Sequence, residues 1–126
     1  MADLPNVNAA EIVVIKSIAQ GSGDGPVLMF NLNKYRPEAG YPDGALYTDY
    51  MAVLGTLLQQ VGGRVLWRTA VRGHVVGDQD IDEALGIWYP SHQAFLDLMT
   101  APASGENMRL RALAVARADL HRCDAS

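Results

Sequence analysis

The chain has 126 residues, 49% of them hydrophobic and 19% charged, and carries a net charge of −4. That length suits one globular domain, residues 1–126, able to bury roughly two thirds of its unfolded surface, and the composition is not that of a disordered chain. The acidic balance, with no Lys/Arg cluster to override it, argues against nucleic acid as a partner, and no apolar run approaches the ~20 residues of a membrane helix.

Residues 1–25 read as an amino-terminal extension. The opening stretch "MADLPNVNAAE" lacks the basic and then apolar regions of a signal peptide. The single cysteine, Cys123, cannot form an internal disulfide, so a reducing, cytoplasmic setting is expected. Asn8 and Glu11 have capping-box spacing and predict a short helix running to about Gln20. "GSGDGP" ends it, and "VLMFNLN" (Val27 to Asn33) is the first strand of the sheet. After the polar loop "KYRPEAGYPDG", Leu46, Tyr50, Val53, Leu54, Leu57, Leu58 and Val61 recur at helical spacing, which makes Ala45 to Val61 the main amphipathic helix. Gly62 and Gly63 stop it.

"RVLWRTAV" (Arg64 to Val71) is a second strand, and "ALGIWY" after the acidic turn "DQDIDE" a third. Pro90 ends that strand, and Ser91 caps a helix whose Phe95, Leu98 and Met99 face inward. A second short helix carries "ENMRLRAL", and "VARADLHR" (Val115 to Arg122) closes the chain as a fourth strand. The order is β-α-β-β-α-β, preceded by an extra helix: an α+β, ferredoxin-like subunit with a four-stranded antiparallel sheet.

Helices on one side leave the other face of such a sheet uncovered. By alternation, Leu28, Phe30 and Leu32 suit the helices, and Val27, Met29, Asn31 and Asn33 take the open side. In the second strand, Val65, Trp67, Thr69 and Val71 are assigned to the helix side, and Leu66, Arg68 and Ala70 to the open one. In the fourth, Ala116, Ala118 and Leu120 face the helices and Arg117, Asp119 and His121 oppose them. A half-apolar face of this kind is expected to be covered by a second copy. The expected assembly is a homodimer whose facing sheets form a barrel around a pocket into which Asn31 projects.

"PVLMFNL", the Tyr47 and Tyr50 pair in "YTDY", "GGRV", "YPSHQAFLDLM" and "RALA" occur here in an order that resembles a bacterial family of unknown function, domain of unknown function family 1330, in the dimeric α/β-barrel superfamily. The likeness covers about Pro26 to Leu120. It implies a ferredoxin-like subunit, a face-to-face dimer and a mostly apolar pocket, but brings no catalytic residues. Relatives in the superfamily include cofactor-free monooxygenases, lactone isomerases, polyketide cyclases and haem-degrading enzymes, so the fold does not select a chemistry. This chain departs from the family in having Ile81, where members often have Trp, before Asp82 and Glu83.

Asn31 is the leading ligand-contacting candidate, because an amide both donates and accepts in an apolar setting; its alternative role is to bond neighbouring backbone or the partner subunit. Met29 shares its strand face. Arg68, Arg109 and Arg111 are candidates for holding a carboxylate or enolate oxygen, or else are surface arginines paired with the acidic surplus. Tyr50 shares the buried stripe of its helix, so its hydroxyl either reaches the cavity or is satisfied in the core. His121 with Asp119 two residues before it, or His74 in "RGHVVG", is the candidate general base; edge-strand neighbours with no such role are the competing account. His92, just after a helix cap, is expected to be solvated. Trp67 and Trp88 are read as packing residues. The spacing supports no metal site, and no cofactor is expected. Two functions compete: a small-molecule enzyme without a tightly bound cofactor (isomerase, cyclase or monooxygenase-like), and a non-catalytic protein that binds such a ligand or merely dimerises.

Overall fold

The computed structural model of the chain describes residues 6–125. Residues 1–5, which begin the stretch read above for a targeting signal, lie outside the described residues, as does residue 126. The elements are α1 (Ala9–Gln20), β1 (Val27–Tyr35), a 3₁₀ turn (Pro37–Ala39), α2 (Ala45–Val61), β2 (Arg64–Ala70), β3 (Glu83–Tyr89), α3 (His92–Asp97), α4 (Ser104–Ala114) and β4 (Val115–Asp124). The strands form one sheet in the order β2-β3-β1-β4, and every neighbouring pair is antiparallel. After α1 this is the expected ferredoxin-like arrangement, its second helical segment divided into α3 and α4.

Local chemistry explains the boundaries. α2 ends in a Schellman turn: Gly62 takes a left-handed φ of 82° and donates to the Gln59 carbonyl, while Gly63 donates to Leu58. Ser91 caps α3 by accepting from the Ala94 N–H at 3.0 Å, as expected. Asp24 reinforces that cap from the loop before β1, accepting from the backbone N–H groups of His92 (2.8 Å) and Gln93 (3.2 Å). Its carboxylate also meets His92 Nδ1 at 3.0 Å. His92 is therefore 8% exposed rather than solvated, because it closes onto a carboxylate distant in sequence. At α1, Asn8 makes no side-chain cap bond; Glu11 turns away from the helix end to pair with Arg122 on β4.

The largest correction concerns which side of the sheet each residue occupies. Val27, Met29, Asn33 and Tyr35 are buried on the helix side, and Asn31 shares that face. Leu28, Phe30 and Leu32 take the open side. Asn31 therefore lies within its own subunit and does not project between two sheets. Both alternating sets of β1 begin apolar, so hydrophobicity cannot choose between them. Pairing with β3 decides: Val27, Met29 and Asn31 stand opposite Tyr89, Ile87 and Leu85, three buried residues, whereas Phe30 stands opposite Gly86.

In β2 the register shifts between Val65 and Trp67. Val65 keeps the helix side, Leu66 occupies the bulge, and Trp67 and Thr69 pass to the open face, while Arg68 and Ala70 turn toward the helices. A single extra residue reverses every later assignment in the strand. In β4, Ala118 and Leu120 lie toward the helices and Asp119 and His121 on the open face, as expected, whereas Ala116, also assigned to the helix side, is the exposed extra residue where the register shifts opposite Lys34 and Tyr35.

The core lies between sheet and helices. Leu58, Leu85, Ile87 and Val27 are the largest fully buried side chains, each contributing about 1.5–3 kcal/mol by burial. Ile15 from α1 and Phe95 from α3 join them, so α1 is packed into the body of the domain. A second cluster gathers Tyr35, Tyr47, Tyr50, Leu110, Ala114 and Val115. On the open face, Phe30 and Trp67 meet at 5.9 Å and the Arg64 guanidinium lies 4.9 Å over the Trp88 ring. Trp67 is 43% exposed. Among the described residues, no helix is long and apolar enough to cross a membrane.

Candidate functional site

A cavity of about 190 Å³ opens between the helix side of the sheet and helices α2 and α4. At about 30 Å³ of liquid volume per water, it has room for about six waters or a small organic ligand. The walls are mostly apolar: Leu54 and Leu57 from α2, Ile87 from β3, Leu98 and Met99 from the turn after α3, Met108 from α4 and Leu120 from β4. Into this lining project Asn31 and Asn33 from β1, Tyr50 from α2, and Ser104, Asn107 and Arg111 from α4.

Two of these polar groups are incomplete. The side-chain oxygens of Asn31 and Asn107 are buried without any hydrogen-bond partner, and Asn107 is only 7% exposed. An unmet buried acceptor costs about 1–3 kcal/mol, so two in one cavity mark the place where a donor from outside the chain would be stabilising. Tyr50 is buried beside Arg111. Burial raises its hydroxyl pKa, and the neighbouring guanidinium partly offsets that rise through its charge and a hydrogen bond.

Arg111 is half-buried and, among the described residues, has no carboxylate within ion-pair distance. It also borders a second cavity of about 130 Å³ beneath α1, which is lined by Ile12, Ile15, Met29 and Phe95 and shares Ala118 and Leu120 with the first.

Next to the main cavity is a closed polar cluster. Glu83, 3% exposed, accepts from the Tyr35 hydroxyl at 2.6 Å and from the Tyr47 hydroxyl at 2.8 Å. The Asn33 amide donates to the Tyr35 hydroxyl at 3.2 Å, and Arg68 donates to Tyr47 at 3.3 Å. Tyr41 stacks on Tyr35 at 5.0 Å and meets Tyr47 edge-on at 4.9 Å. Burial first, and then the hydrogen bond to Glu83, push both the Tyr35 and Tyr47 hydroxyls well above the ordinary tyrosine value. These hydroxyls stay protonated and serve the carboxylate; through Tyr35 the cluster also fixes the Asn33 amide at the cavity wall.

Of the residues singled out from sequence, Asn31, Tyr50 and Arg111 meet in the main cavity. Met29 lines the second cavity, and Arg68 belongs to the Glu83 cluster. Arg109 is exposed and paired with Glu106 on its own helix. His74 lies in the exposed loop between β2 and β3 and borders neither cavity. Asp119 and His121 do share a face, but it is the one away from Asn31. There Asp119 is taken by Arg117 at 3.2 Å and by the Gln79 amide at 2.9 Å, while the His121 ring lies 6.5 Å from that of Phe30. No Asp–His pair forms beside the cavity.

The sequence reading passed over Asn107, Asn33 and Glu83. Asn107 was legible in principle: Asn107, Leu110, Arg111 and Ala114 fall on one stripe of α4, so a polar residue there points where the apolar ones point. Glu83 stands two residues before Leu85 and therefore on the same buried face.

No family model matches the chain, and no curated protein matches it. Among solved structures, it is similar to RPA0582, a protein of unknown function from Rhodopseudomonas palustris, at 27% identity and a TM-score of 0.74, over 94% of this chain and 93% of that one. The methylated form of RPA0582 aligns over 100% of this chain and 97% of that one, at 26% identity and a TM-score of 0.76. A dabb family protein with a ferredoxin-like fold from Mesorhizobium loti aligns over 81% of this chain and 98% of that one, at 11% identity and a TM-score of 0.55, a likeness of fold alone. These likenesses support a ferredoxin-like fold, and do not show the narrower family 1330.

Proposed function

We propose that the protein is a homodimer that binds a small, largely apolar, oxygen-bearing ligand in the cavity of each subunit, without a tightly bound cofactor. The observation that carries this reading is the pair of unpartnered amide oxygens, Asn31 and Asn107, in an otherwise apolar lining. The motif resemblance to family 1330 and a cytoplasmic location are part of the same proposal.

The chemistry within reach is binding and the stabilisation of negative charge on oxygen. The residues bordering the cavity include no histidine, carboxylate or thiol, and burial makes Tyr50 a weaker acid. An enzymatic reading of the isomerase, cyclase or monooxygenase-like kind is favoured by one feature: Tyr50 beside Arg111 forms a hydroxyl–guanidinium pair suited to an enolate or phenolate oxygen.

The test fills the cavity. Octan-1-ol is expected to raise the melting temperature of the protein by a few degrees at saturation. Leu54→Trp, which fills the cavity from α2, is expected to remove that response while the protein stays folded. An unchanged response in folded Leu54→Trp overturns the reading.

A further inference from the structure

Arg111 differs from every other cation of the described chain. Lys34 is likewise withdrawn from solvent, but Asp80 and Asp82 hold it at 3.1 and 3.4 Å. Arg109, Arg117 and Arg122 have carboxylate partners in Glu106, Asp119 and Glu11. Lys16, Arg36, Arg64, Arg68 and Arg72 are exposed. Arg111 alone is both half-buried and without a carboxylate. None lines the main cavity, and the one bordering the second, Glu11, is already taken by Arg122.

Withdrawing a guanidinium from water without a counter-charge is unfavourable, and its planar set of donors suits a carboxylate best. The two orphan oxygens add a second requirement. As acceptors, they call for a donor on the ligand, and one of them belongs to Asn107, a residue only 7% exposed. The apolar walls supply the third.

We propose that the cavity takes a small, hydroxylated, largely apolar carboxylic acid. The carboxylate sits on Arg111, with the Tyr50 hydroxyl beside it. The ligand hydroxyl donates to Asn107 or Asn31, and the hydrocarbon part lies against Leu54, Leu57 and Ile87. Arg111 also borders the second cavity, whose lining includes Ile12 and Ile15 of α1. This inference rests on the ligand-pocket reading above and adds the charge and the hydroxyl.

Calorimetric titration of the protein with three probes tests it: octan-1-ol, octanoate and 3-hydroxyoctanoate. Octanoate is expected to bind at least about tenfold tighter than octan-1-ol, the scale of one charge-assisted hydrogen bond. The 3-hydroxy acid is expected to bind several-fold tighter again. Arg111→Met should erase the preference for acid over alcohol, and the double variant Asn31→Leu with Asn107→Leu the preference for the hydroxylated acid. If Arg111→Met does not fold, Arg111→Lys should keep a reduced preference for the acid, having the charge without the planar fork. Equal binding of octan-1-ol and octanoate by the unmodified protein overturns the acid assignment and leaves the pocket intact. A preference for the acid that survives in Arg111→Met also overturns it. Binding of none of the three overturns both the acid and the pocket.

Discussion

Asn31 and Asn107 stand in contrast to Asn33, although all three line one cavity. Asn33 is tied into the Glu83 cluster, whereas the other two leave oxygens unmet. The contrast predicts opposite stability effects. Asn107→Leu, of similar volume, should stabilise the unliganded protein by about 1 kcal/mol, whereas Glu83→Leu should cost about 3 kcal/mol or more by stranding two buried tyrosine hydroxyls. Chemical denaturation of both variants measures the two signs. At Asp24, burial acts to raise the pKa, but hydrogen bonds from the His92 and Gln93 backbone and the His92 ring outweigh it and hold the carboxyl below its ordinary 3.8. A lowered folded-state pKa contributes stability above the unfolded value, and that contribution is lost as pH falls through the folded one. Asp24→Asn should therefore lower the melting temperature at pH 7, and the gap from the unmodified protein should close as pH falls below about 4, measured by thermal scans across that range.

At the scale of elements, the local signals were strong and the facial ones weak. The α2 boundaries, the Gly62 stop and the Ser91 cap all follow from chemistry confined to a few residues, so they were legible. The face of β1 was not, because Val27, Leu28, Met29 and Phe30 are apolar on both parities and only pairing with β3 separates them. The β2 bulge left no sequence mark before Trp67. Gly86 was a mark of another sort: a Cβ there would lie 2.5 Å from the Trp67 ring, so the glycine makes the berth on which that indole rests. Gly86→Ala is expected to displace the indole, destabilise the protein by about 1–3 kcal/mol and alter tryptophan fluorescence in the folded state. Unchanged emission and stability would show that Trp67 does not occupy that berth. The candidate site was half legible for the same reason: Asn31, Tyr50 and Arg111 could be named one by one, but which residues share a cavity depends on facing.

For the whole molecule, the sheet divides two proposed tasks between its faces. Asn31 and Arg111 belong to the helix side and serve a ligand, while Leu28, Phe30, Leu32, Trp67 and Trp88 belong to the open side and serve a partner copy. A stable dimer buries about 800 Å² on each partner, and apolar aromatic residues at the centre of such a patch dominate its energy. Light scattering at micromolar concentration should give twice the subunit mass for the unmodified protein and the subunit mass for Phe30→Asp. Since Phe30 faces away from the cavity, Phe30→Asp should still bind octanoate. Loss of binding together with dimerisation would instead mean that the site needs both subunits.

The claim on which these roles converge is that a ligand enters between the sheet and the helices of one subunit and meets Arg111 there. A crystal structure of the protein grown with 3-hydroxyoctanoate tests it most directly. The account predicts density for the acid in the cavity, its carboxylate on the Arg111 guanidinium and its hydroxyl within hydrogen-bond distance of Asn107 or Asn31. A ligand bound on the open face of the sheet, with the cavity occupied only by water, would contradict it.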